Sequence, residues 1–203
     1  MTPADGRSVA PVSRPIVGLL LAAGGARRFG TDKLMAALPD GRMVGQAAAL
    51  ALCPGVDRAI AIVRPGNRDL AAVLSAAGLQ LVTNPMADEG MGGSIGRGVA
   101  ASADAAGWLI ALADMPWIRA ATIAAVTEAL RAGASIAAPM HAGRRGHPVG
   151  LHRRWGGELA GLRGDHGARA LLAHHAGEIV SIETDDPGIL LDIDRPADLA
   201  CFD

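Results

Sequence analysis

The chain has 203 residues, half of them hydrophobic, with a formal net charge of −1 and an isoelectric point near 6.6. This length suits one domain with a sizeable core, and the near-neutral charge argues against a surface that binds polyanions. Aromatic residues make up only 2% and tyrosine is absent, so stacking platforms for single-stranded nucleic acid are hardly available.

The first 14 residues are polar and proline-rich and lack the pattern of a signal peptide. We interpret 1–14 as a flexible N-terminal extension. No apolar run in the sequence reaches the length of a membrane span. The two cysteines, Cys53 and Cys201, stand far apart without metal-ligand spacing, as is typical of unpaired thiols in a reducing compartment. We therefore predict a cytoplasmic protein that binds neither membrane nor nucleic acid.

From residue 15 onward, short apolar runs alternate with alanine-rich segments of helical length. The predicted strands are 16–22, 58–63, 79–83, 108–113 and 134–139, with two late strands near 178–182 and 189–191. The predicted helices lie at 44–53, 67–78, 93–107 and 120–133, followed by amphipathic segments at 153–162 and 167–177. Unbroken apolar strands that alternate with helices indicate a mainly parallel sheet covered on both faces. We predict a single α/β domain over residues 15–203.

Ligands of such sheets bind beyond the carboxyl ends of the strands. That rule points to the loops that follow Ala22, Thr83 and Ala113. In the first loop, AGGARRFGTDK, the two glycines at 24 and 25 allow positive φ, so successive backbone N–H groups can face an anion. Arg28 and Lys33 would add full charges against phosphate oxygens.

Two commoner phosphate loops do not fit this spacing. A P-loop needs its lysine directly after the last glycine, and the dinucleotide fingerprint needs glycine where Ala26 stands. A glycine turn with solvated arginines remains as the structural alternative.

The segment LAAGGARRFGTDKLM resembles the LAAGxSxRMGxxKLL signature of the MobA-like nucleotidyltransferases, particularly the molybdenum cofactor cytidylyltransferases. It departs from that signature at Ala26 and Phe29. The resemblance implies a Rossmann-like three-layer α/β/α sandwich with a mostly parallel central sheet, as in nucleotide-diphospho-sugar transferases. It also implies a nucleotide-binding half at about 15–118 and an acceptor-binding half at about 119–203. The positions it assigns to the nucleotide are Leu21, Ala22, Ala23, Gly24, Gly25, Arg28 and Lys33, the last two with catalytic roles.

Two acidic segments are candidates for a metal site. Asp114 ends an apolar strand before a Met-Pro turn, and a carboxylate there can hold Mg²⁺ while leaving room for phosphates. An N-cap of the next helix is the alternative, but the matching aspartate of the family's D-x-P motif binds metal. The segment LLDIDRPADL resembles the family's DIDTPEDL, which makes Asp192 a candidate second metal contact. Asp194 can equally cap the last helix.

The stretch NPMADEGMGGS is similar to a family stretch that contacts the nucleotide base and sugar. Asn84, Gly90 and Ser94 match it, although Ser94 has an equal claim as an N-cap.

Two segments further on resemble the acceptor side of the family. GRRGHPV supplies His147, which glycine and proline hold between them, and GDHGARALL supplies Asp165 and Arg169. An Asp N-cap and a solvated Arg are the alternatives for the last two.

The resemblance implies that CMP is transferred from CTP to the terminal phosphate of molybdopterin or molybdenum cofactor, with Mg²⁺ as cofactor and pyrophosphate as product. In the family, LAAG accompanies CTP and LAGG accompanies GTP, so Ala23 favours CTP. A recipient molybdoenzyme or its maturation factor would be a transient partner. Two alternatives stay open: a nucleotidyltransferase that uses GTP or acts on a sugar or alcohol phosphate, and a non-catalytic partner of a molybdoenzyme that binds nucleotide or cofactor. GRRGHPV and GDHGAR disfavour another acceptor, while Arg28, Lys33 and Asp114 disfavour the non-catalytic partner.

Overall fold

A computed structural model describes residues 14–24, 32–165 and 167–200 of the chain. The strands in these ranges are β1 Ile16–Ala22, β2 Arg58–Val63, β3 Gln80–Thr83, β4 Gly107–Leu112, β5 Ile136–His141, β6 Arg144–Arg145, β7 Val149–His152 and β8 Ile179–Glu183. The α-helices in the same ranges are α1 Val44–Leu52, α2 Arg68–Ala76, α3 Met91–Ala100, α4 Ala120–Arg131, α5 Gly156–Ala160 and α6 Arg169–His174. No helix in these described ranges is long and apolar enough to cross a membrane.

All eight strands belong to one sheet, which is mostly parallel. β1 pairs in parallel with β2 and β4, β2 pairs in parallel with β3, and β8 pairs in parallel with β5. β7 is antiparallel to both of its neighbours, β4 and β5. Since β4 and β5 both run against β7, they point the same way and their carboxyl ends reach the same edge. The predicted α/β fold with a mostly parallel sheet is confirmed.

Alternate residues of β1 belong to different halves of the core, as a strand buried on both faces requires. Leu20 packs on one face with residues of α1, α2 and α4, whereas Leu19 packs on the other with residues of α3, α5 and α6. Both leucines are fully buried. The sheet is therefore the middle of three layers.

The sequence prediction was wrong in two places, both after β5. Residues 189–191, predicted as a strand, lie largely in the 3-10 helix Pro187–Leu190. There the Asp186 side chain accepts a hydrogen bond from the amide of Gly188, and proline fixes the first turn. β7 was missed, because a four-residue strand that contains glycine is too short to show a periodic pattern.

Strands β6 and β7 lie on the same side of β5 and form one interrupted strand. Met140 pairs with Arg145, and Ile136 pairs with Leu151. Between these two pairs the chain advances four positions along β5 but six positions along the partner strand. The two extra residues bulge out of the ladder within 146–148. The bulge therefore carries His147.

The extension 1–14 lies outside the described residues except for Arg14, and the division into two halves stays a prediction. Cys53 is a half-buried free thiol, whereas Cys201 lies outside the described residues.

The β5–β6 hairpin has a two-residue loop, Ala142–Gly143, in which both residues have positive φ, 49° and 72°. Such loops favour Asn-Gly, and the left-handed conformation costs an alanine about 1–2 kcal/mol. We expect Ala142→Asn to raise the free energy of unfolding by about 0.5–1 kcal/mol. Urea unfolding measures the change. Ala142→Val, a β-branched control, should lower it, and an Asn variant no more stable than the parent would contradict the turn assignment.

Candidate active site

The three loops predicted from the sequence meet at one cleft. Leu21 of β1 pairs with Leu112 of β4, so the two strands end side by side. The cleft beyond them has a volume of about 360 Å³. Its lining includes six predicted residues from these loops and the elements that border them, Leu21, Ala23, Gly24, Gly90, Ser94 and Asp114, together with Asp165 from the loop after α5.

Among the described residues predicted to bind nucleotide, Ala22, Lys33 and Asn84 do not line this cleft. The side chain of Ala22 packs in the core on the opposite face of the sheet, so only its backbone is left for a ligand. Gly25 and Arg28 lie outside the described residues.

Lys33 and Asp114 form the central ion pair of the site. The Lys33 ammonium nitrogen lies 2.7 Å from Asp114 Oδ2, 2.9 Å from the carbonyl oxygen of Ile193 and 3.4 Å from Asp194 Oδ1. The Ile193 amide in turn donates to the backbone carbonyl of Asp114 at 2.9 Å. The backbone of one residue, Ile193, thus contacts both partners of the pair.

Lys33 is the only lysine among 19 basic Lys and Arg residues of the chain. Burial lowers the pKa of its ammonium group, but the hydrogen bond and charge of Asp114, with the charge of Asp194, outweigh burial and hold the pKa above its ordinary value. The side chain is therefore a permanent cation, 15% exposed, next to the cleft.

The acids on either side of Ile193 belong to the same site. Ile193 is fully buried, whereas Asp192 and Asp194 are exposed, as alternation along an extended segment produces. Partial burial of the Asp192 carboxyl group raises its pKa, and the negative charges of Asp194 and Asp114 raise it further. Asp192 therefore lies within electrostatic reach of Asp114, in a region that favours an additional cation.

These residues fit a Mg²⁺ ion shared with a nucleotide. Within the described ranges no three His, Cys, Asp or Glu side chains form a metal-binding group. Mg²⁺ commonly takes only one or two carboxylates and fills its octahedron with phosphate oxygens and water. Asp114 and Asp192 supply oxygen ligands of that number.

The structure overturns the helix-cap alternatives for three candidates. Helix α3 begins after Gly90, so Ser94 lies inside it rather than at its cap. The N-cap position of α4 is Arg119, five residues after Asp114, and that of α6 is Ala168 rather than Asp165. Each of these side chains is therefore available to a ligand at the cleft that it lines.

Asn84 and Ser94 form a buried pair beside the cleft. Asn84 donates from Nδ2 to Ser94 Oγ at 3.1 Å, while its Oδ1 accepts from the amide of Met86 at 3.0 Å. Both side chains are less than 5% exposed. The pair fixes the orientation of the Ser94 hydroxyl, which lines the cleft.

Sequence reasoning missed Arg64, which directly follows β2. Its Nε donates to the carbonyl oxygen of Ala23 at 2.7 Å, and a terminal nitrogen lies 2.7 Å from Asp88 Oδ1. Arg64 and Asp88 both line the cleft. A cation just after a buried parallel strand, at the edge where ligands bind, is the signal that was available.

A second pocket, of about 250 Å³, contains two of the predicted acceptor residues, His147 and Arg169. Met91 lines this pocket and the first cleft as well. Gly146, beside His147, packs so closely that a Cβ atom there would lie 2.3 Å from the carbonyl oxygen of Ile189. The predicted acceptor residues thus divide between the two spaces, since Asp165 lines only the first.

The start of α3 depends on Gly90. Its φ is +109°, and a Cβ atom there would lie 2.4 Å from the carbonyl carbon of Gly164 and 2.5 Å from Asp165 Oδ1. We expect Gly90→Ala to destabilise the protein by about 2–3 kcal/mol, because backbone must move and the conformation is strained. Chemical unfolding measures the loss.

The matched control is Gly93→Ala in the same helix. Its added methyl would meet only Asn84 Nδ2 at 3.7 Å, an ordinary contact, and alanine favours a helix by about 0.5–1 kcal/mol. If the two substitutions changed the free energy of unfolding equally, the close approach of Gly90 to Gly164 would be contradicted.

Comparison with known proteins identifies relatives over most of the chain. A family model described as the MobA-like NTP transferase domain matches residues 18–179. The purine catabolism protein PucB of Bacillus subtilis (strain 168) is 31% identical over 191 residues, which cover 89% of this chain and 92% of that protein.

Solved structures share the fold. Rv0371c from Mycobacterium tuberculosis H37Rv is 27% identical with a TM-score of 0.77, over 91% of this chain and 94% of that one. The structure of a complex of Rv0371c with manganese is 26% identical with a TM-score of 0.72, over 91% of this chain and 95% of that one. A nucleotidyl transferase from Methanothermobacter is 22% identical with a TM-score of 0.76, over 91% and 94%, which shows the fold alone. The sheet is thus that of the nucleotide-diphospho-sugar transferase-like proteins, and the chain belongs to the MobA-like NTP transferase domain family.

Proposed function

We propose that this protein is a Mg²⁺-dependent nucleotidyltransferase that transfers CMP from CTP to the terminal phosphate of molybdopterin or molybdenum cofactor. The observation that carries the proposal is the contact of the Lys33 ammonium with Asp114 and Asp194 beside the cleft. A phosphoryl-transfer site needs a fixed cation and metal-binding carboxylates side by side, whereas a module that only binds nucleotide has little need for the carboxylates.

The reaction requires no protein nucleophile. An oxygen of the acceptor phosphate forms a bond to the α-phosphorus of CTP, and the bond from that phosphorus to the bridging oxygen of the β-phosphate breaks. Pyrophosphate leaves with the electron pair. A phosphate monoester is already ionised near neutral pH, so catalysis depends on positioning and on neutralising charge.

Each charged side chain has a place in this scheme. Lys33 would leave its contact with Asp114 in part and offset the charge that develops on the pyrophosphate, together with Arg28 from the same loop. Asp114 and Asp192 would hold Mg²⁺, which supplies Lewis-acid neutralisation of the phosphate oxygens when bound. The manganese complex of Rv0371c supports a divalent ion in a relative of this fold.

The donor base would occupy the cleft near Ala23 and Ser94. The side chain of Ala23 lines the cleft, and its carbonyl oxygen is engaged by Arg64, which holds that peptide in one orientation. A methyl group at this point takes space that a purine would need, and the Ser94 hydroxyl, oriented by Asn84, would serve the sugar or base. These contacts support CTP as the donor.

Replacing either member of the central pair should stop the chemistry. We expect Lys33→Ala and Asp114→Ala each to lower the rate of pyrophosphate release by at least about 100-fold, because a charge that stabilises the transition state is lost. The assay contains CTP, Mg²⁺ and purified molybdopterin, and circular dichroism checks folding. Arg42→Ala, which removes an exposed ion pair with Asp40, is the control and should keep its rate. Near-parental activity of either site variant would contradict the mechanism.

The identity of the donor base can be tested separately. We expect turnover with CTP to exceed turnover with GTP and ATP, and Ala23→Gly to shift the ratio towards GTP by about tenfold, as one methyl group in a binding site can. Comparison of kcat/KM for the three triphosphates measures this. A preference of the unmodified protein for GTP would remove the argument from Ala23.

A further inference from the structure

The peptide group between Ile193 and Asp194 is hydrogen-bonded on both of its sides. Its carbonyl oxygen accepts from the Lys33 ammonium at 2.9 Å. Its N–H, which is the amide of Asp194, donates to Asp198 Oδ2 at 2.9 Å. Because a trans peptide is planar, its C=O and N–H point in opposite directions and rotate as one unit. The direction of the carbonyl towards Lys33 is therefore coupled to the Asp198 contact.

Asp198 binds two successive amides with one oxygen atom. It lies in the 3-10 helix Pro196–Ala200, and its Oδ2 accepts from the amide of Arg195 at 2.7 Å in addition to that of Asp194. These two bonds lower the pKa of the Asp198 carboxyl group, and the charges of Arg195 and Lys33 lower it further. The group is therefore an anion near neutral pH, and both of its oxygens are acceptors.

Burial of Ile193 fixes a different part of the backbone. Its side chain is fully buried, and its amide donates to the Asp114 carbonyl at 2.9 Å. That amide belongs to the preceding peptide, between Asp192 and Ile193, and successive peptide planes rotate independently about the Cα atom between them. The Asp198 contact is therefore what holds the second plane, whose carbonyl faces Lys33.

Lys33 needs one partner that stays in place when substrate enters. Its ammonium group has three N–H donors, which contact Asp114 at 2.7 Å, Asp194 at 3.4 Å and the Ile193 carbonyl at 2.9 Å. The two carboxylates belong to side chains that can rotate, and Asp114 is also a candidate metal ligand. The carbonyl belongs to the backbone. It is thus the acceptor about which the ammonium would turn from Asp114 towards a phosphate.

We propose that Asp198 is a positioning residue of the active site, which orients the Lys33 ammonium through the peptide between Ile193 and Asp194. The inference rests on the proposed function and goes beyond it, because it gives a part in catalysis to a side chain that does not line the first cleft. The peptide requires an acceptor atom at the position of Oδ2. The geometry of this contact matters, therefore, and the charge of the carboxylate does not.

Three substitutions separate the geometry of the contact from its charge. Asp198→Asn keeps a carbonyl oxygen for the two amides and removes the charge, whereas Asp198→Glu keeps the charge and displaces it by one methylene group. Asp198→Ala removes both. We expect the Asn variant to resemble the parent and the Glu and Ala variants to release the peptide.

The single lysine of the chain provides a direct readout. In protein labelled with ¹⁵N-lysine, Lys33 gives the one lysine ammonium signal, and NMR measures how fast its protons exchange with water. We expect exchange to become about tenfold faster in Asp198→Ala and Asp198→Glu, because a hydrogen bond to a charged group is weakened, and to change by less than about threefold in Asp198→Asn. Pyrophosphate release from CTP with purified molybdopterin should slow by about tenfold in the same two variants.

The matched control is Asp57→Ala at the opposite edge of the sheet. Asp57 Oδ2 also accepts from a backbone amide, that of Ile16 at 2.8 Å, at the amino ends of β1 and β2. Urea unfolding measures the loss of stability in both alanine variants. Exchange at Lys33 should stay at the parental rate in Asp57→Ala. If this control accelerated exchange as much as Asp198→Ala, general destabilisation would explain the effect and the inference would be wrong.

Parental exchange at Lys33 in both Asp198→Ala and Asp198→Glu overturns the inference, as does the reverse order, in which Glu resembles the parent and Asn is impaired. The comparison of Glu with Asn still provides a test if Asp198→Ala fails to fold. The expected exchange pattern in a protein that releases no pyrophosphate from CTP would contradict the proposed function and keep this inference. Pyrophosphate release with parental exchange in the Ala and Glu variants would do the reverse.

Discussion

The site depends on one ion pair that connects distant parts of the chain. Lys33 comes from the loop after β1, Asp114 from the end of β4 and Ile193 from the C-terminal segment, and all three meet through hydrogen bonds of 2.7–2.9 Å. The parallel pairing of β1 with β4 brings the first two loops to one edge of the sheet. The buried side chain of Ile193 anchors the third segment, so Asp192 and Asp194 are held next to the cleft without being buried themselves.

The segment after β8 contacts residues of both the first cleft and the second pocket. Its 3-10 helix, Pro187–Leu190, provides the carbonyl of Ile189 that fixes the backbone of His147, and the carbonyl of Ile193, four residues later, accepts a hydrogen bond from Lys33. Tight packing makes this arrangement rigid, since a Cβ atom at Gly188 would lie 2.2 Å from the carbonyl oxygen of Trp117. A change in this segment would thus alter the first cleft and the second pocket together.

Helix α3 contributes side chains to both the first cleft and the second pocket. Gly92 and Gly96 let the helix approach α5 and the loop after it, where a Cβ atom would come within 2.8 Å of Arg163 backbone and 3.0 Å of Ala160 backbone. Met91 at its start contributes to both walls. Gly92 and Gly96 are therefore explained by close packing, while Ser94 on the same helix faces the cleft.

The sequence by itself determined the parallel core and the position of the first cleft. Unbroken apolar runs predicted β1 and β2 to the residue, because a strand buried on both faces cannot tolerate polar residues. The rule that ligands bind at carboxyl strand ends then brought Ala23, Ser94 and Asp114 together correctly. Only the tertiary structure decided the pairing of Lys33 with Asp114 and the contact of Arg64, because these depend on hydrogen bonds between residues 41 to 160 positions apart. The bulge that carries His147 was likewise decided by the tertiary structure, because it depends on a strand register that the local sequence pattern does not encode.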